Sequence, residues 1–329
     1  MSEEKKKGKR YRGQIIRSGE HGGVVITREA VEGMLEQLRE SPKPMNIEHD
    51  PTVPPVGRLK QGWLVEVEGG EVALETEMEL FDGTVPAVLK PTREFREEIA
   101  RLPGWPTEDG VLEITTDARS YSRSDVEALR DIAASVGEAE ADDNAMRFSE
   151  LPDPLLIFGL GSSLTAAGWF MKGFFAKAGE ALGEEVGKDL AEAYRKLKKQ
   201  AVETIERRNP EDRPPITLLT FRIDRPGGGS VEIEGSTRAV GGGLEAFLDA
   251  GSQLLPIATV YLRAAPQPRR VAKMHFAHSE EGWAFVYGLD EEALPLMIAG
   301  LTDEDYARAL AEAEANAPQE DSGGESAEA

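Results

Sequence analysis

Apolar and polar positions alternate most cleanly over 59–67 and 71–80. In the second stretch Val72, Leu74, Thr76, Met78 and Leu80 take one face, while Glu71, Glu75, Glu77 and Glu79 fall between or opposite them. A period of two belongs to a strand with one buried face. Gly69-Gly70 supplies the tight turn, so the pair predicts a half-buried antiparallel hairpin with an acidic outer face. Upstream, Tyr11, Gln14-Ile15-Ile16 and Val24-Val25-Ile26 read as strand material around a glycine-rich turn at 20–23. The period then changes. Val31, Met34, Leu35 and Leu38 share a helical face, Thr27 is placed to cap the first turn, and Pro42 and Pro44 end the helix.

Further on, 111–118 reads as a strand, and Ser124 or Asp125 caps a short helix over 125–136. Residues 137–150 are acidic and polar and read as a linker. Residues 154–171 carry no charge, and this run leads into a long amphipathic stripe: Met171, Phe174, Phe175, Ala178, Leu182, Val186, Leu190, Tyr194, Leu197, Ala201 and Ile205. Steps of three and four predict one long helix from near Ser162 to before Pro210. A β-rich unit follows, with a hairpin over 216–223 and 231–235, a helix over 244–255, a strand over 259–263, and a second hairpin over 273–276 and 283–287 whose aromatics alternate as a core face would. Residues 302–316 read as a polar helix, and the acidic tail after it lacks the apolar content to fold. Gly227–Gly229 and Gly241–Gly243 lack the lysine context of a phosphate loop.

Composition narrows the classes. The chain has 329 residues and a net charge of −22, which opposes general nucleic-acid binding. The local exception is the basic arm Lys5-Lys6-Lys7-Gly8-Lys9-Arg10-Tyr11-Arg12, read as a solvated tail. There are no cysteines, which excludes disulfides, thiolate zinc sites and a cysteine nucleophile. No apolar run follows the basic start, so no secretory signal is expected, and a cytoplasmic location fits.

Candidate chemistry concentrates in Asn46-Ile47-Glu48-His49-Asp50-Pro51, followed by Pro54-Pro55-Val56-Gly57-Arg58. His49 stands between two carboxylates, and stiff neighbours fix its position as a general base requires. Glu48 and Asp50 alternate away from His49 on a strand and read as solvated. His275 and His278, three apart on a strand, fall on opposite faces and read as a satisfied hairpin pair rather than a metal site. Glu75, Glu77 and Glu79 lack the glycine-bounded loop of a calcium site. No metal or other cofactor is expected.

The order of strands, helix, Ile-Glu-His-Asp, Pro-Val-Gly-Arg and acidic hairpin resembles the head-maturation (prohead) proteases of tailed phages, which share a fold with the herpesvirus assemblins. The resemblance covers roughly residues 11–125. It implies a protease-like barrel in which His49 takes a proton from a serine. The family's Ser-(apolar)-Gly is missing. Ile114-Thr115-Thr116-Asp117 stands in its place, and the nearest serines are Ser120, Ser122 and Ser124. Either the nucleophile has moved to Ser120 or Ser122, giving a serine endopeptidase, or the barrel has lost its chemistry; the missing motif favours loss.

The resulting fold class is α+β: an N-terminal antiparallel β-barrel-like domain (11–136) after the basic arm (1–10), an acidic linker (137–153), an apolar segment with a long central amphipathic helix (154–208), a C-terminal antiparallel α+β domain (209–300), and a helix with a disordered tail (301–329). Beside an active serine peptidase of the prohead-protease type, two functions remain open. One is a protease-like protein acting in peptide binding or assembly, with a protein or peptide partner or a second copy of itself. The other is a membrane-associating effector that meets lipid through Trp169, Phe170, Phe174 and Phe175.

Overall fold

The computed structural model describes residues 9–21, 24–47, 50–81, 112–116, 120–134, 139–142, 155–160, 184–208, 214–224, 230–264 and 270–296. His49, Glu48, the apolar stretch 161–183 with its four aromatics, the arm 1–8 and residues 297–329 lie outside them.

A small sheet comes first along the chain. β1 (Arg10–Arg17), β4 (Lys43–Met45), β5 (Gly57–Glu66) and β6 (Val72–Leu80) assemble in the order β1-β6-β5-β4, all antiparallel. The β5–β6 hairpin turns at Gly69 and Gly70, whose φ of +90° and +79° only glycine adopts freely. β2 (Gly19–His21) and β3 (Val24–Ile26) pair separately. Helix α1 (Arg28–Glu40) starts where Thr27 Oγ1 accepts from Ala30 N at 3.2 Å, and it lays Val31 and Leu35 over Ile16, Val72 and Leu74. Gly62 lets it come close: a Cβ there would sit 2.9 Å from side-chain carbons of both Leu38 and Leu74. Among the described residues this sheet is open, not a closed barrel. β1 and the three-residue, proline-containing β4 are its two edges.

Among the described residues the second sheet has eight strands. In chain order they are β7 (Leu112–Thr116), β8 (Ala139–Asp142), β9 (Leu155–Leu160), β10 (Ile216–Asp224), β11 (Ser230–Thr237), β12 (Val271–Ser279), β13 (Gly282–Asp290) and β14 (Pro295–Leu296). They lie in the order β14-β13-β12-β11-β10-β9-β7-β8. The sheet is mixed, not antiparallel as the hairpin pattern predicts. β7 runs parallel to β8, β9 to β10 and β11 to β12, because helices carry the chain between the members of each pair. α2 (Arg123–Ala134) joins the first pair and α3 (Glu184–Arg208) lies in the second connection. α4 (Gly241–Ala250), a 3₁₀ turn at Gly251–Gln253 and α5 (Leu254–Ala264) join the third.

Several expectations are corrected here. Residues 259–263 are in α5, not a strand, and 139–142 in the expected linker pair with β7. The predicted helix over 244–255 is divided between α4, the turn and α5. Leu155–Leu160, the start of the uncharged run, is a strand inside the sheet. β7 and α2 belong to this larger sheet rather than to the first.

One face of the large sheet carries the main core. Ile114, Phe158, Phe221, Ile233, Met274 and Phe276 meet α2, α3, α4 and α5, with the long helix contributing Leu197, Ala201 and Ile205 from one stripe. Tyr261 stacks on Phe285 at 5.1 Å within it. The other face carries a smaller cluster of Leu155, Ile216 and Leu218, and beside it the polar residues described next.

Candidate functional site

Between Asn46 and Arg58, described residues of the segment bond to one another locally. Asn46 Nδ2 donates to Val53 O at 2.8 Å, and Thr52 N and Oγ1 donate to Asp50 Oδ1 at 2.8 and 2.7 Å. Such an Asx turn is a local substitute for backbone pairing. The segment then binds the large sheet at three places. Arg238, just beyond β11, donates to Asp50 Oδ2. Tyr287 Oη on β13 donates to Pro51 O at 3.1 Å. Arg58 bonds Glu79 Oε2 through Nε and Nη2 at 3.1 and 2.8 Å, and reaches Glu292 O through Nη1 at 2.6 Å. Asp50 is therefore half-buried and paired, not the solvated carboxylate that alternation predicts. Burial works to raise its pKa, but the Thr52 hydrogen bonds and the Arg238 charge outweigh that and hold it below its ordinary value. Glu79 behaves alike: burial opposes the charge, and Arg58 with Lys60 overcomes it.

The candidate nucleophiles are placed elsewhere. Ser122 Oγ donates to Asp125 Oδ2 at 2.6 Å and accepts from Asp125 N at 3.3 Å, while Ser122 N donates back to the same carboxylate at 3.1 Å. This reciprocal pairing is a helix N-terminal box, and Arg207 of α3 closes it by donating to Asp125 Oδ1 at 2.9 Å. Ser122 Oγ has Ser124 Oγ as its other partner, at 2.9 Å, and no histidine among the described residues. Ser120 lies in the turn just ahead. Both serines stand at the start of α2, on the helix-bearing face of the sheet beside β7. Asp50 and Pro51 contact Arg238 and Tyr287, and Tyr287 lies on the opposite face, stacked on His275. β9 and β10 stand between β7 and β11, about 14 Å of lateral spacing.

What the segment does approach is a buried polar chain. Glu234 and Ser236 share a face of β11, and Lys273 and His275 share the same face of β12, in a register that sets Glu234 against His275. His275 Nε2 lies 2.8 Å from Ser236 Oγ, and its Nδ1 3.0 Å from Glu234 Oε2. Lys273 Nζ donates to Glu234 Oε1 at 2.6 Å and to Glu232 Oε1 at 2.8 Å. Burial penalises the Glu234 charge, yet Lys273 and His275 together drive its pKa far below the carboxylate range; Lys273 is correspondingly raised against the pull of burial by Glu234 and Glu232. The Tyr287 ring lies on His275 at 5.0 Å and 3°. A bulge puts it there: His275 faces Tyr287 while Phe276 faces Phe285, leaving Val286 as the extra residue. The aromatics of β13 thus split between faces instead of sharing one. His278 lies on the other side of β12 from His275, against Trp283 and Phe247.

Glu75 and Glu77 are paired with Arg12 and Arg10 on the small sheet. Among the described residues no group of histidines and carboxylates is arranged to hold a metal ion, and no helix is long and apolar enough to cross a membrane. The chain matches no protein-family model, no curated protein and no solved structure.

Proposed function

We propose that this chain is a protein- or peptide-binding assembly protein, whose N-terminal segment keeps the element order of a head-maturation protease, in an open sheet, without its chemistry at His49. One observation carries this: the residues beside His49 are committed to a joint on one face of the large sheet, while Ser120 and Ser122 sit on the other face at a helix start. A base and its nucleophile must come within hydrogen-bond reach. Instead, Asp50, Pro51 and Arg58 fix two sheets against each other, a structural use for a segment whose stiffness the sequence advertises. A serine-reactive fluorophosphonate tests this on the full chain. No adduct is expected at Ser120 or Ser122, in wild type or in His49→Ala. An adduct at either serine that disappears in His49→Ala would establish the peptidase and end the proposal.

A further inference from the structure

We infer that Ser236, His275 and Glu234 form a latent acyl-transfer site for small carboxylic esters, held shut by the turn at Asp50 and Pro51. It goes beyond the preceding proposal and needs neither His49 nor Ser122.

The order of atoms is what a serine needs in order to lose its proton. Glu234 is held as an anion by Lys273 on one oxygen, so its other oxygen can only accept, and it takes the Nδ1–H of His275. That tautomer leaves the Nε2 lone pair directed at Ser236 Oγ, 2.8 Å away. The hydroxyl's alternative acceptor, Phe276 O, is farther at 3.4 Å. Stacking on Tyr287 fixes the ring plane. In the reaction Ser236 Oγ bonds to the ester carbonyl carbon while its proton passes to His275 Nε2. The bond to the leaving oxygen breaks as that oxygen takes the proton. Water then attacks the acyl-serine, giving a proton to Nε2 and releasing the acid as Ser236 Oγ regains it. Glu234 balances the imidazolium formed in each half.

The same chain of bonds satisfies a buried core with no reactivity at all, so access decides between the two. Ser236 is 1% exposed and His275 is fully buried. At the rim, Arg238, two residues beyond Ser236, holds Asp50, and Tyr287 Oη holds Pro51 O. Both bonds belong to a short loop, and a loop joint of this kind opens at lower cost than the sheet beneath it. A gap the width of one loop suits a small ester rather than a folded protein.

Fluorophosphonate labelling and p-nitrophenyl acetate hydrolysis are measured on the full chain, as wild type and as the double variant Asp50→Ala/Tyr287→Phe, with the adduct located by peptide mass spectrometry. The adduct is expected on Ser236, about tenfold faster in the double variant. Ser236→Ala, a small change inside the core, should remove it, and His275→Gln should slow it by about 100-fold or more. A urea series below global unfolding, with hydrogen exchange on 50–58 and β11–β12, provides a second way of opening the joint. No Ser236 adduct where exchange shows the site open, or a joint that never opens before the whole chain unfolds, overturns the inference. So does a Ser236 adduct indifferent to His275→Gln. An adduct at Ser120 or Ser122 instead would strike the preceding proposal and leave Ser236 judged by its own result.

Discussion

The two sheets solve burial differently. Among the described residues the large sheet has four helices over one face, with a continuous core running from Ile114 to Phe285. The small sheet has, among the described residues, one helix over it, a core of Ile16, Ile26, Val31, Leu35, Val72 and Leu74, and a border of ion pairs. Small cores supply little net stability. The small sheet accordingly leans on Arg58, which sits between Glu79 and Glu292 and so ties it to the larger neighbour. What differs is the source of order: packing in one, a few well-placed charges in the other.

If that contrast holds, the largest single loss comes from an aromatic in the large core. Phe276→Ala should lower stability by about 4 kcal/mol, read from urea unfolding, because Tyr261 and Phe285 cannot collapse into the cavity. Hydrogen exchange should show protection falling across β10–β13. Next comes Glu79→Ala, which strands the Arg58 guanidinium and should cost about 3 kcal/mol. Here exchange should rise in β4–β6 and not in the large core; a uniform rise would break the comparison.

Asp50 and Glu79 also give the joint a pH dependence. Their ordinary values are 3.8 and 4.5, and both are lowered in the fold. Their contribution is therefore complete above the ordinary values and disappears as pH falls through the lowered ones. Acid titration should loosen the joint below about pH 4, and Glu79→Gln should flatten that response. Ser122→Ala should cost about 1 kcal/mol through the lost cap of α2, in thermal melts, with no change in reactivity toward serine probes. The smallest effect is expected from Arg12→Ala. Its pair with Glu75 is exposed, so even with its stacking on Trp63 the loss should stay within about 1 kcal/mol. A larger value would mean that the border of the small sheet carries more than its core.

The local features were legible in the sequence. Thr27 caps α1, Gly69-Gly70 turns the β5–β6 hairpin, and the stripe through Leu197, Ala201 and Ile205 is buried, all by short-range rules. Residues 259–263 misled because a brief apolar run with Val and Tyr suits a strand or an all-buried helix equally. The parallel pairings are set by helices 10 residues and more in length, and no hairpin signal reports them. His275 lies 39 residues from Ser236 and 41 from Glu234 and meets them only through the β11–β12 register. A trace was visible all the same: Glu232, Glu234 and Ser236, and then Lys273 and His275, recur at every second position of otherwise apolar strands. The bulge at Val286 leaves no such trace, so the face taken by Tyr287 was out of reach.

The bond from Arg58 to Glu292 spans 234 residues, that from Tyr287 to Pro51 spans 236, and that from Arg238 to Asp50 spans 188. During synthesis roughly 10–50 s separate the emergence of the two ends of the longest of these. Throughout that interval Arg58 has Glu79, only 21 residues away, and the small sheet can form alone. The joint therefore closes only after Glu292 has emerged. A ribosome stalled before Glu292 would carry a finished hairpin whose guanidinium still faces water.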